Sequence, residues 1–214
     1  MRKIMTGFAF AAALALCGGS AFAVDQLIVG KKLLLTNPGG TPNANNKIVF
    51  LSKDASIALA ASPAEDPRCV PDGGSGAGGT ITVSSVATGE SFTISLPCAG
   101  WTTNTPGTLY KYKDTSGATC KIVIIKGAKL LKAVCKGTQV DYDLSADQVS
   151  VDVVTRTGTA PRRYCTSFNG TTAGCSVVKN GADEKKYLAK NCTTAPVVCG
   201  ASPSGAFIEV ANLF

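Results

Sequence analysis

The chain has 214 residues, of which 21 are Lys or Arg, 14 are Asp or Glu, nine are Cys and none is His. Without imidazole there is no Ser-His or Cys-His nucleophile pair, no His-ligated zinc or haem and no histidine pH switch. Because 45% of the residues are hydrophobic and only 16% are charged, the composition is typical of a folded globular protein. These counts predict a protein without a cofactor and argue against an enzyme.

The first 23 residues have the pattern of a secretory signal peptide. Arg2 and Lys3 give a basic start, residues 7–16 are apolar, and residues 21–23 (AFA) predict cleavage after Ala23. The apolar run is shorter than the roughly 20 residues that a membrane-spanning helix needs. We therefore expect a secreted or periplasmic protein with no transmembrane segment.

Residues 24–214 form the expected mature domain, with a candidate sub-boundary near residues 156–162. Its apolar segments are short, rich in β-branched residues and bounded by Gly, Pro, Asn or Ser, as strands are. These segments are residues 27–36 (LIVGKKLLLT), 47–52 (KIVFLS), 80–86 (TITVSSV), 91–96 (SFTISL) and 149–155 (VSVDVVT). Only residues 55–61 and 183–190 have a helical composition. The pattern predicts a mainly β fold, an antiparallel β-sandwich or a barrel-like module.

Residues 120–135 (CKIVIIKGAKLLKAVC) predict a β-hairpin that reverses at its Gly-Ala pair. In this register Ile125 faces Leu130 and Cys120 faces Cys135, which brings the two cysteines within disulfide range. Closing such a loop stabilises a protein by about 3 kcal/mol in the chain-entropy model.

Eight cysteines follow the signal peptide, and an even count in an exported protein predicts four disulfides. The chain has no C-x-x-C pair and no His, so we expect no metal site. Cys69 and Cys98 flank the predicted hairpin of residues 80–96 and would pair across its base. Two arrangements stay open for the last four cysteines: Cys165–Cys199 with Cys175–Cys192, or Cys165–Cys175 with Cys192–Cys199.

Positive charge is concentrated in residues 111–136, where seven lysines accompany one acid, Asp114. In residues 110–113 (YKYK) the tyrosines share one strand face and the lysines share the other. Such a surface attracts phosphate, sulfate or uronate groups, and does so less at high salt. The alternative is that these lysines only prevent edge-to-edge pairing and keep the protein soluble. The candidate binding residues are Lys111, Lys113, Lys121, Lys126, Lys129, Lys132 and Lys136.

A chain without His could still catalyse hydrolysis with a pair of carboxylates, and Asp141 and Asp143 are the candidate pair. On an extended strand their carboxylates would lie about 6–7 Å apart on one side, a spacing at which glycosidases act. With Asp147 they could instead hold calcium through oxygen ligands. However, neighbours on one strand rarely flank both faces of a sugar ring, and acids are mostly exposed, so we interpret the three as solvated surface acids.

Two further motif matches have the wrong context for chemistry. Residues 74–79 contain a G-x-G-x-x-G pattern, but no helix follows it to bind a phosphate, so a loop is expected. Residues 176–179 (SVVK) match S-x-x-K, but on a strand these two side chains point to opposite faces.

Several segments resemble a group of uncharacterised secreted proteins from environmental bacteria. The segments are GKKLLL (30–35), KIVFLSKD (47–54), SLPCAGW (95–101), YKYKD (110–114), CKIVIIKGAKLLKAVCKG (120–137) and RYCTSFNG (163–170). The resemblance implies a bacterial β-rich module, occurring singly or within larger exported proteins, and it implies no activity. Members often lack counterparts of Cys69, Cys98, Cys175 and Cys192, which implies that these four pair among themselves.

The sequence as a whole predicts a non-catalytic structural or ligand-binding module of the cell envelope or extracellular matrix. Its expected partner is an envelope or matrix polyanion, because an exported protein rarely meets nucleic acid. The first alternative is a histidine-free, carboxylate-dependent hydrolase that acts on extracellular glycans. A second is a subunit of a homopolymer that assembles through exposed strand edges.

Overall fold

The computed structural model describes residues 23–39, 42–85, 87–114, 120–183 and 185–200. The predicted signal peptide therefore lies outside the described residues, apart from Ala23 at its cleavage site. Within the described ranges, no helix is long and apolar enough to cross a membrane.

Thirteen strands make up 46% of the described chain, and single 3-10 turns are its only helical elements. In chain order the strands are β1 (Val24–Leu27), β2 (Gly30–Thr36), β3 (Lys47–Ser52), β4 (Gly79–Ser84), β5 (Ser91–Leu96), β6 (Trp101–Thr103), β7 (Leu109–Tyr112), β8 (Cys120–Lys126), β9 (Leu130–Lys136), β10 (Ser150–Thr157), β11 (Arg162–Asn169), β12 (Ser176–Gly181) and β13 (Lys186–Lys190).

The strands form two open sheets. The smaller has five strands in the order β1-β11-β10-β4-β5, and the larger has eight in the order β12-β13-β2-β3-β9-β8-β7-β6. All neighbouring strands are antiparallel except β1 and β11, which are parallel. The predicted β-sandwich is therefore confirmed, and the barrel-like alternative is wrong because neither sheet closes.

One apolar core lies between the sheets, since alternate residues of each strand point inward. Phe50 of β3 meets Phe168 of β11 edge to face, with ring centroids 5.9 Å apart. Tyr187 of β13 donates a 2.7 Å hydrogen bond to the Phe168 carbonyl. Gly30 lies under the same ring, where an added Cβ would fall 2.6 Å from a ring carbon. The absence of a side chain at this position lets the two sheets approach.

The segment predicted as one strand at residues 27–36 is two strands in different sheets. The chain crosses the core at Ile28, which is fully buried, and the next amide, that of Val29, donates to the Asp54 carboxylate. Residues 183–190, which have a helical composition, contain β13 instead. Tyr187 and Ala189 of that strand point into the core, so tertiary packing overrides local propensity there.

The β8–β9 hairpin joins Cys120 to Cys135 as predicted, but the predicted register of its body is wrong by one residue. Ile125 faces Leu131 and not Leu130. Ile125 and Leu131 are both fully buried, whereas Leu130 lies on the opposite face. The core therefore selects the pairing that places two inward side chains together.

A wider turn and a bulge account for this difference. The turn has three residues, 127–129, with Ala128 at a φ of 53°, and Lys126 pairs with Leu130. At the other end of β8, Lys121 is the extra residue of a register shift. This one-residue shift compensates for the turn and restores the cysteine pairing.

Four disulfides cross-link the sandwich, and the last two have the nested arrangement. Their Cα–Cα distances are 4.9 Å for Cys69–Cys98, 3.9 Å for Cys120–Cys135, 5.2 Å for Cys165–Cys199 and 3.9 Å for Cys175–Cys192. Residues 156–162, where the sequence suggested a sub-boundary, form the end of β10, a turn and the start of β11 within the five-stranded sheet.

Four tyrosines are buried with their phenols protonated. Burial is the main cause that raises the pKa of Tyr110 to about 12, and it also raises the pKa values of Tyr142, Tyr164 and Tyr187. A raised pKa in the folded state means that the folded protein holds protons that the unfolded chain releases above about pH 10. This stabilisation is complete below pH 10 and is lost as the pH rises toward the folded-state values.

We predict that the free energy of unfolding falls steeply between pH 10 and 12. In Tyr110→Phe the slope near pH 11 should be smaller by about 0.8 proton, which is about 1.1 kcal/mol per pH unit. Urea titrations at each pH give the slopes, and absorbance at 295 nm follows phenol ionisation. Ionisation of all the tyrosines near pH 10 without unfolding would contradict the prediction.

Candidate anion-binding surface

The eight strands of the larger sheet carry eleven lysines and no Asp or Glu. Nine of these lysines point outward, away from the core. Each alternates along its strand with inward-facing residues or is paired across strands with an outward-facing residue. We name this outward side the lysine face; its lysines are Lys32, Lys47, Lys111, Lys126, Lys132, Lys136, Lys179, Lys186 and Lys190. The other two, Lys31 and Lys121, lie at register shifts.

Three acidic residues elsewhere in the described fold, Asp25, Glu65 and Asp66, form ion pairs with arginines. Glu65 pairs with Arg162 at 2.6 Å, and Asp66 pairs with Arg68. Among the described residues, no carboxylate forms an ion pair with Lys32, Lys47, Lys132 or Lys136. The central lysines of the face therefore contribute uncompensated positive charge.

Register places like charges next to one another on this face. Lys32 is directly opposite Lys190, and Lys47 is directly opposite Lys136. Neighbouring strands are about 4.8 Å apart, and like charges in directly opposite positions destabilise a sheet. The lysine face therefore carries an electrostatic cost that a bound anion would relieve.

A row of aliphatic side chains separates two groups of lysines. On β9 the outward sequence is Lys132, Val134, Lys136, so Val134 lies about 7 Å along the strand from each lysine position. Cross-strand pairing extends this position into a continuous row, one residue from each of five neighbouring strands. We name it the aliphatic row; its members are Leu188, Leu34, Val49, Val134 and Ile122. All five are half-buried.

Only some of the seven lysines predicted from the sequence as binding residues lie on the lysine face. Four of those seven residues lie on the lysine face, namely Lys111, Lys126, Lys132 and Lys136. Lys113 follows the end of β7, Lys121 is the bulge residue, and Lys129 lies in the β8–β9 turn. Five further lysines come from strands distant in sequence: Lys32, Lys47, Lys179, Lys186 and Lys190. The signal that was missed is the lack of any acid in these strands.

Asp141 and Asp143 do not lie on a strand but in the connection from β9 to β10. The side-chain amide of Asn37 donates 2.9 Å to the backbone carbonyl of Asp143 and so fixes this connection. The carboxylate of Asp147 accepts a 3.1 Å hydrogen bond from Asn180. In the part of the chain that the structure describes, none of the three acids belongs to a group with metal-ligand spacing.

The one described group with such spacing is Asp25, Cys165 and Cys199. Its sulfurs are joined in a disulfide and its carboxylate forms an ion pair with Arg163, so these atoms are already used.

A cavity of about 280 Å³ opens on the outer side of the five-stranded sheet. Asp152, Ser167 and Asn169 contribute polar groups, and residues 194–198 form one wall. Desolvation raises the pKa of Asp152, against a hydrogen bond from Ser167 that lowers it. This cavity belongs to the five-stranded sheet, whereas the lysine face belongs to the eight-stranded sheet.

No protein-family model, curated protein or solved structure is found to match the chain. The resemblance to secreted bacterial modules therefore stays a prediction.

We predict that screening the lysine face stabilises the protein. Lys136→Gln removes one charge from the Lys47–Lys136 pair and should raise the free energy of unfolding by about 0.5 kcal/mol in 10 mM salt. The gain should vanish in 300 mM salt, where the Debye length is short. Chemical denaturation at both salt concentrations measures it.

Lys129→Gln is the matched control, because it removes the same charge from an exposed turn. Equal effects of the two substitutions at low salt would show that the repulsion is not specific to the paired lysines.

Proposed function

We propose that the protein is a non-catalytic module of the cell envelope or extracellular matrix that binds polyanions through the lysine face. The observation that carries this proposal is the set of eleven lysines without a single acid in the eight strands of one sheet. Four disulfides support a place outside the cytoplasm, in an oxidising compartment. Polymers with phosphate, sulfate or uronate groups are the partners that this chemistry fits.

The dimensions of the face suit an extended polymer. Lys190 on β13 and Lys111 on β7 belong to the same cross-strand row, which also contains Lys32 and Lys132. Five inter-strand spacings separate its ends, a distance of about 24 Å. A polymer that crosses the strands would meet four ammonium groups in this row and release its condensed counterions.

The non-catalytic part of the proposal has separate support. The chain has no histidine, and Asp141 and Asp143 lie in a connection where no sheet register fixes their side chains relative to each other. A glycosidase needs two carboxylates held on opposite sides of one bond.

Binding to dextran sulfate and to polygalacturonate tests the proposal, with uncharged dextran as the ligand control. The triple variant Lys32→Gln, Lys132→Gln, Lys136→Gln should bind at least tenfold more weakly in 50 mM salt. The slope of log affinity against log salt should also become shallower by about 2 to 3, because about 0.7 to 0.9 counterions are released for each contact.

The matched control is Lys53→Gln, Lys113→Gln, Lys129→Gln, which removes the same charge from exposed positions outside the lysine face. We expect the control to lose less than threefold. Equal losses in both triple variants would mean that net charge and not this face attracts the polymer, and absence of binding by the unmodified protein would refute the proposal.

A further inference from the structure

Packing in the core between the two sheets does not account for the aliphatic row. Its members point away from the core, and none belongs to the buried cluster that joins the two sheets. Leu51 and Ile124 lie beside the row among the lysines and widen it. The row is half-buried, and its partly exposed side chains form a contiguous apolar strip of about 19 Å across five strands, the kind of outer apolar feature that an interaction partner covers.

Charge limits what can cover this row. A second copy of the chain, stacked through the same face, would bring two acid-free lysine arrays together at low dielectric, so self-association here is disfavoured. A hydrated polysaccharide would use the ammonium groups and leave the aliphatic side chains without a partner. The complementary partner has anionic groups on its surface and apolar groups directly beneath them.

We propose that the lysine face docks on a lipid bilayer that carries anionic headgroups. Lys132 and Lys136, about 14 Å apart along β9, would reach headgroup phosphates on either side of the aliphatic row. Val49 and Val134 would then lie at the boundary between headgroups and acyl chains, while the long lysine stems extend toward water. This inference rests on the proposed function, since the same lysines supply the charge.

The distribution of the two residue types supports a flat partner. The aliphatic row and both groups of lysines lie on one open sheet, so ammonium and aliphatic groups are presented side by side over the same surface. Each lysine near an anionic membrane surface adds attraction, and the apolar row adds burial that a purely electrostatic ligand does not use.

Co-sedimentation with vesicles tests the inference. The probes are vesicles of phosphatidylcholine alone and vesicles with one quarter phosphatidylglycerol. We expect more than tenfold tighter binding to the anionic vesicles in 100 mM salt. The triple variant Leu34→Thr, Val49→Thr, Val134→Thr should lose at least tenfold of this binding and keep its dextran sulfate affinity within threefold.

A matched control changes three exposed valines elsewhere, Val70→Thr, Val149→Thr and Val198→Thr, and should bind anionic vesicles like the unmodified protein. Thermal melting of all variants checks that they are folded, and Val49→Thr with Val134→Thr replaces the triple variant if that one unfolds.

The outcomes separate this inference from the proposed function. If the aliphatic-row variant binds anionic vesicles as well as the unmodified protein, or if the unmodified protein binds dextran sulfate but not the vesicles, the lipid inference is wrong and polyanion binding stands. If the protein binds neither probe, both fail.

Discussion

Every second residue in the strands of the eight-stranded sheet faces the core, and this periodicity fixes what the opposite side presents. Ala133 and Leu131 are inward and fully buried, so Lys132 and Val134 between and beside them must be outward. The same relation holds on the neighbouring strands because paired residues share a face. The same strand register therefore determines both the core and the lysine face. A one-residue slip that disrupted the core would also move lysines away from their outward positions.

The backbone of this face is cross-linked, although the face is electrostatically unfavourable. The Cys120–Cys135 disulfide links β8 to β9 immediately beside Lys136, and the Gly137 amide donates to the carbonyl of Asn46, the residue just before β3. Cross-links and a continuous core offset the repulsion between lysines in opposite positions. Because the sheet already holds the backbone of these lysines in place, little backbone freedom is lost on binding, which favours an extended anionic ligand.

Local patterns predicted much of the fold, because they report burial directly. Residues 47–52 and 91–96 are strands with the predicted bounds, and the cysteine pairing of the β8–β9 hairpin is as expected. The one-residue register error arose because turn length and the bulge at Lys121 depend on core contacts that local pattern does not contain. The lysine face was only partly predictable, since Lys32 and Lys47 join it through long-range pairing.

Mapping by NMR is the most direct test of whether the lysine face binds anions. Backbone amide shifts would be followed while a sulfated oligosaccharide of defined length is added. If the lysine face binds the oligosaccharide, the largest changes lie in β2, β3, β9 and β13 and saturate together. Changes centred on the Asp152 cavity of the five-stranded sheet, or spread evenly over all exposed lysines, would contradict it.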